Sequence, residues 1–169
     1  TSIYDDARFT IAYQDYEESR IDRARNNNNR QRQTEKVDAI SANWDATKGI
    51  GKGQLFYGLE YVHNKVGSFG ETTNISTNVV TTTVSRYPNG STWNTMGVYG
   101  SYKINIKPKL TLTTGLRYSY NTLEATFVNT FINYNFGKSE LKDGALTGNL
   151  GLVFRPAAGW QLNGNISTG

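Results

Sequence analysis

Few residues in this chain could carry out chemistry, and their spacing limits what that chemistry could be. His63 is the only histidine and there is no cysteine. A metal or haem held through His63 would therefore need ligands from elsewhere, and thiol catalysis, cysteine-zinc sites and disulfides are excluded. Asp5-Asp6 and Glu17-Glu18 are adjacent carboxylates. In a strand, neighbours point to opposite faces, so neither pair is an acid/base couple. A calcium loop would need further oxygen ligands. No catalytic residue, metal ligand or cofactor-binding residue is expected, and no cofactor. The chain lacks Gly-x-Ser-x-Gly, a phosphate loop and His-Glu-x-x-His, so it is not read as an enzyme. Gly49-Ile50-Gly51-Lys52-Gly53 is glycine-rich but reads as a tight turn between strands.

Two stretches carry chemistry of recognition instead. Residues 18–33 hold Arg20, Arg23, Arg25, Arg30 and Arg32 against Glu18 and Asp22, around four asparagines at 26–29. They read as a mobile solvated loop or as a basic loop for an anionic ligand, such as a ferric chelate or lipopolysaccharide phosphates. Residues 66–91 are rich in Thr, Ser and Asn and place Arg86, Tyr87 and Trp93 near their end. They read as a ligand-contacting loop or as a strand extension and hairpin, with Asn89-Gly90 supplying a type I′ turn. The ligand-binding candidates are Arg20, Arg23, Arg25, Arg86 and Tyr87. Glu60, Lys103, Arg117 and Arg155 are charged positions that pair with neighbours or line a path.

The elements that position these residues are strands. The chain has 169 residues, a formal charge of +4 and 17 glycines against three prolines. Its mean hydropathy is −0.57. No run of about 18 apolar residues could form a membrane helix. The modest charge argues against a nucleic-acid partner, and the aromatic content argues against disorder. The dominant period is two. Alternation predicts seven strands, at 7–17, 34–47, 54–64, 92–105, 110–126, 141–155 and 160–168. Phe9, Ile11 and Tyr13 lie opposite Arg8, Thr10 and Gln14; Leu55, Tyr57, Leu59 and Tyr61 lie opposite Gln54, Gly58 and Glu60. Short connections at 49–53, 107–109 and 155–159 alternate with long ones at roughly 18–33, 66–91 and 127–140. That alternation predicts antiparallel up-and-down hairpins with their tight turns at one end. The turns predict pairs of Leu110 with Ile104, Leu112 with Tyr102, Leu116 with Val98, Tyr118 with Met96 and Leu152 with Leu162.

Such a ribbon buries its apolar face against a second sheet or against lipid. Strands of ten or more residues favour lipid, since soluble strands peak at about 5–6 residues and a membrane strand needs about 9–11. Trp160 and Phe154 beside a short turn, with Tyr118 and Tyr120 toward the far end, fit two interfacial girdles. Bacterial barrels have an even strand count. The fold class expected is therefore all-β, a partial segment of about seven strands of a large transmembrane β-barrel. Residues 1–169 form one barrel segment, cut at both ends, with no plug domain. The alternative is a soluble all-β carbohydrate-binding or adhesion module; a surface enzyme domain is weaker still.

Gly58-Leu59-Glu60-Tyr61-Val62, Ser85-Arg86-Tyr87-Pro88, Thr114-Gly115-Leu116-Arg117-Tyr118-Ser119 and Trp160-Gln161-Leu162-Asn163, with Ser167-Thr168-Gly169, resemble TonB-dependent outer-membrane receptors, particularly those of Bacteroidetes. In that family Ser-Thr-Gly often runs into Phe-Arg-Ala-Pro, and the chain stops just short of that box. The resemblance implies a 22-stranded barrel with an N-terminal plug. It implies import of an iron-siderophore, haem, cobalamin or glycan ligand, powered through TonB. The implied partners are outer-membrane lipid, TonB acting through the plug region, and a small nutrient such as a ferric siderophore or haem. The implied location is the bacterial outer membrane. No plug or TonB box is present, so energy coupling is expected to reside outside this segment.

Overall fold

The computed structural model describes residues 2–168, and every regular element among them is a β-strand. In chain order these are β1 (Asp6–Asp22), β2 (Asn29–Ile50), β3 (Gly53–Asn74), β4 (Val80–Thr83), β5 (Ser91–Lys107), β6 (Leu110–Thr126), β7 (Lys138–Phe154) and β8 (Leu162–Ser167). They form one antiparallel sheet in the order β1-β2-β3-β5-β6-β7-β8, with β4 paired to the far end of β3. All seven expected strands lie on or within a residue or two of this framework. The eighth, β4, folds back inside the 66–91 connection.

The strands are longer than alternation shows. β2 and β3 each have 22 residues. The ladder between β1 and β2 continues to Asp22↔Gln31. The expected loop at 18–33 thus shrinks to a turn at 23–28. Apart from Ile21, residues 18–22 and 29–33 are polar on both faces, so no alternation marks them. Backbone pairing and polar contacts such as Ser19 Oγ to Thr34 Oγ1, 3.1 Å, hold them in line.

Two registers differ from expectation by two residues. Leu112 opposes Ile104, Thr114 opposes Tyr102, Tyr118 opposes Val98 and Tyr120 opposes Met96. Phe154, not Leu152, opposes Leu162. At the first turn, Lys107↔Leu110 closes over Pro108-Lys109 alone, and an irregularity between Asn105 and Lys107 absorbs the offset. A shift of two leaves every side chain on its face, so the polarity pattern does not sense it. The Asn89-Gly90 turn also differs. Gly90 is left-handed (φ 82°) but Asn89 is not, so no type I′ turn forms there. The reversal lies at 74–79, where Asn78 has φ 58° and Asn74 Oδ1 accepts from the amides of Ser76 and Thr77.

Register makes the two faces explicit. One row runs Phe9–Trp44–Leu59–Val98–Tyr118–Leu146 across six strands. These side chains have no covering layer: Phe9 is 65 % exposed, Leu59 53 % and Leu146 69 %. Leu116 is 62 % exposed; Leu55 and Leu112 are half-buried. Among the described residues only Ala46 and Ala125 are buried hydrophobics. Covering one large apolar side chain is worth about 1.5–3 kcal/mol, so water on this face would cost tens of kcal/mol in total. The band is bounded. On β1 it runs from Ala7 to Tyr13 between Asp5 and Asp15, and on β3 from Leu55 to Tyr61 below His63 and Lys65. On β7 it reaches down to Phe154, although Leu146 shares a row with Phe9. That stepwise descent is the mark of strands tilted to the band.

Tyrosines at the margins aim their hydroxyls out of the band. Tyr13 donates to Asp38 at 2.6 Å and Tyr61 to Asn94 at 3.2 Å on the long-connection side. Tyr57 donates to the Ile3 carbonyl at 2.6 Å and Tyr102 to the Ile50 carbonyl at 2.8 Å on the tight-turn side. This is the amphipathic placement expected of interfacial aromatics.

Candidate functional site

The reverse face is polar at the level of the apolar band. Asp45, Gly58, Tyr99, Arg117 and Thr147 form one row, and Asn43, Glu60, Gly97 and Ser119 the next. Arg117 lies flat across β5 to reach Glu60 on β3. Its Nη2 is 3.1 Å from Glu60 Oε1, its Nη1 3.4 Å from Oε2, and its Nε donates to Ser119 Oγ at 2.9 Å. The guanidinium also sits 5.5 Å over the Tyr99 ring. Tyr99 in turn crosses β3 and donates to Asp45. Glycine makes both crossings possible. A Cβ on Gly97 would lie 2.6 Å from Arg117 Nη2, and one on Gly58 2.5 Å from the Tyr99 hydroxyl. Glu60 and Arg117 thus pair with each other, one of the two readings open to them. Lys103 and Arg155 make no ion pair among the described residues.

At the long-connection end a strap formed by residues 84–90 folds onto this polar face. Its contacts explain its path. Asn89 Oδ1 accepts from the Ser68 amide at 3.1 Å, and the Tyr87 amide donates to Ser68 Oγ at 3.2 Å. The Val84 carbonyl lies over Gly70, where a Cβ would come within 2.2 Å of its oxygen. Only a residue without a side chain admits the strap so close. Gln33 Nε2 donates to the same carbonyl at 3.5 Å.

Between this strap and the connection after β6 lies a cavity of about 320 Å³, with Arg86, Tyr87, Phe127, Phe131 and Tyr134 in its walls. The Arg86 guanidinium lies 5.2 Å over the Tyr87 ring and forms no ion pair among the described residues. Phe127 meets Tyr134 and Phe136 edge-on at 5.0 and 4.9 Å, and Tyr134 and Phe136 are tilted to each other at 5.8 Å. An unpaired guanidinium among aromatic walls can hold an anion with a flat or apolar body.

The five ligand-binding candidates are not brought together. Arg86 and Tyr87 line the cavity. Arg20 is on β1, Arg23 caps its own turn by donating to the Asn27 carbonyl at 3.1 Å, and Arg25 lies in that turn; none of the three lines the cavity. His63 is half-buried at the band margin, its Nδ1 2.6 Å from Asn94 Oδ1. Reading by type and spacing missed Tyr99, Asp45, Gly58 and Gly97, which become a group only when register is known. It also missed the aromatics at 127–136, although four in ten residues was a visible signal.

One sheet, dry in a band on one face and charged at the same level on the other, with its long connections at one end, is a section of a transmembrane β-barrel wall. The family model described as "TonB dependent receptor-like, beta-barrel" matches residues 1–169, and the chain belongs to that family. Among solved structures it is similar to the copper transporter OprC, with TM-score 0.70 and 13 % identity over 82 % of this chain and 22 % of that one. It is also similar to the ferric citrate transporter FecA in its unliganded form, with TM-score 0.60 and 18 % identity over 94 % of this chain and 24 % of that one. The chain thus spans about a quarter or less of either transporter. No curated protein matches its sequence.

Proposed function

We propose that this segment is barrel wall of an outer-membrane receptor that imports an iron-siderophore, haem or similar anionic nutrient. The 84–90 strap and the 127–137 connection would present the ligand-binding surface. The observation that carries this reading is the cavity with its unpaired Arg86 guanidinium and its aromatic wall. The printed names of the two structural relatives, a copper transporter and a ferric citrate transporter, support a metal or metal-chelate cargo. In this reading TonB acts through a plug region outside residues 1–169, the segment does no catalysis, and the protein resides in the bacterial outer membrane. The uncovered apolar band speaks against a soluble carbohydrate-binding or adhesion module. Arg20, Arg23 and Arg25 would act as an electrostatic approach to the mouth rather than as direct contacts.

The test uses the full-length receptor. Ferric siderophores of catecholate and carboxylate type, haem and cupric ion are offered singly to cells whose growth depends on it. Arg86→Ala should weaken uptake of one anionic member by about tenfold or more, the weight of one charge-assisted hydrogen bond. Wild-type uptake of none of them, or an Arg86→Ala variant indistinguishable on all, would overturn the reading.

A further inference from the structure

The strap covers a second group that the ligand-binding reading does not use. Glu35, on β2, is 6 % exposed, and neither of its carboxylate oxygens has a hydrogen-bond partner. It is the one buried side chain left so among the described residues. Register places it on the polar face beside Ser68, in the row Glu18–Glu35–Ser68. It therefore lies where the strap backbone is tied down, since Ser68 holds both the Tyr87 amide and Asn89. A buried carboxylate with no partner is among the costliest arrangements in a protein, so a cation or donor is missing from this one.

The strap itself carries the complementary group. Arg86 precedes Tyr87, whose amide is 3.2 Å from Ser68 Oγ. Cross-strand neighbours have Cβ atoms about 4.5–5.5 Å apart, so an arginine side chain starting at Arg86 can span to Glu35. In the observed position Arg86 instead rests on the Tyr87 ring and pairs with no carboxylate among the described residues. A buried carboxylate without a partner and an exposed guanidinium without a carboxylate thus lie at the same short segment. The other charges facing Glu35 come from β1. Glu18, its row neighbour, repels it and accepts from Tyr16 at 3.2 Å; Arg20 is the diagonal neighbour, on an exposed edge strand.

We propose that Arg86 and Glu35 form a latch. The strap alternates between the observed position, with the guanidinium presented to the cavity, and a second position in which Arg86 turns onto Glu35 and is withdrawn from the cavity. An anion bound in the cavity holds the strap in the first position; an empty cavity favours the second. The link to an anionic ligand rests on the proposed function, but the two strap positions do not.

The experiment measures the strap directly, with no ligand. Nitroxide labels at Pro88→Cys on the strap and Thr130→Cys across the cavity report their separation in the full-length receptor, cleared of other reactive thiols. The unaltered latch should give two distance populations. Glu35→Gln, and separately Arg86→Gln, should each shift their ratio by about tenfold toward a single population. The charge exchange Glu35→Arg with Arg86→Glu should restore both, and Arg20→Gln should leave them unchanged. A single population in the parent protein, or a shift with Arg20→Gln and none with Arg86→Gln, overturns the latch. Failure of uptake in the growth assay with two populations intact would overturn the ligand reading alone.

Discussion

The two faces of this sheet treat charge in opposite ways. On the apolar face, charged side chains occupy only the margins and pair with near neighbours: Glu17 with Lys36 at 2.9 Å, Glu71 with Arg32 at 3.9 Å, Glu124 with Lys138 at 3.5 Å, Glu140 with Lys142 and Asp5 with Lys48. None lies within the band. On the polar face, Asp45, Glu60 and Arg117 sit at the height of Trp44, Leu59 and Tyr118, and the Glu60–Arg117 pair skips a strand. Identical backbones one residue apart thus carry a carboxylate and a leucine. Only a difference in what lies outside each face makes both choices stable.

The sharpest way to break that contrast is to put one charge on each face at the same depth. Leu59→Arg should destabilise the full-length barrel in bilayers by about 2–4 kcal/mol, the cost of arginine at the bilayer midplane. Asn43→Arg, on the polar face of β2 beside Glu60 and one residue from Trp44 in the Leu59 row, should cost about 1 kcal/mol or less, within the range of surface changes. Urea titration of the folded and unfolded bands on a gel reads both. Equal costs would mean that the faces have been assigned wrongly.

The next effect is local. At Gly70 a methyl group would meet the Val84 carbonyl at 2.2 Å, a backbone atom that cannot rotate away. Gly70→Ala should therefore lift the strap at a cost of about 1–3 kcal/mol and expose 84–90 to limited proteolysis. Gly164→Ala, with nothing within 4 Å of the added carbon, should leave digestion unchanged. Matching cleavage in the two variants would show that the strap does not rest on Gly70.

A smaller effect sharpens the polar face. Gly97→Ala displaces a flexible side-chain end, Arg117 Nη2, so the sheet should survive while the crossing to Glu60 is lost. Both partners are about a third exposed or less, and solvent screening keeps the expected loss near 1 kcal/mol. Arg117→Ala should cost a similar amount, and the double variant little more than either alone. Additive losses would separate the glycine from the ion pair.

These comparisons also show where sequence was legible. The strands at 54–64 and 110–126 could be read because their two faces differ in polarity, and the fold class followed. The outer ends of β2 and β3 could not, because Gln31, Arg32, Glu71 and Thr72 are polar whichever way they point. Register escaped by two residues because alternation repeats every two, and the Pro108-Lys109 turn decided the matter locally. Arg86 and Tyr87 were legible as unusual types in a Thr-rich stretch. Glu35 was not: it is one acid among many until pairing sets it beside Ser68. Arg20 looked like a loop residue because Ile21 is the only apolar side chain at that height of β1, and one residue makes no alternation.

The smallest effect tests the margin of the apolar face at the tight-turn end. Asp5 precedes β1, accepts from the Gly49 amide at 2.7 Å and pairs with Lys48. The Lys48 ammonium and then the Gly49 amide hold its carboxyl below the ordinary value, against a small opposing effect of burial. A carboxyl whose folded pKa is lowered binds its proton less readily in the folded state. Its contribution is therefore fully present above the ordinary carboxylate range near 3.8 and is lost as pH falls through that value and the lower folded one. Asp5 is open to solvent, so the contribution is slight and screened by salt. Asp5→Asn should flatten the acid limb of the stability curve below about pH 4 at low ionic strength, and leave the curve unchanged at pH 7 apart from a constant offset. In 1 M salt the two curves should run parallel. A parent and variant with parallel acid limbs at low salt would show that the Lys48 pair does not form. The apolar band would then end at Ala7 without the charged margin that closes it on the other side.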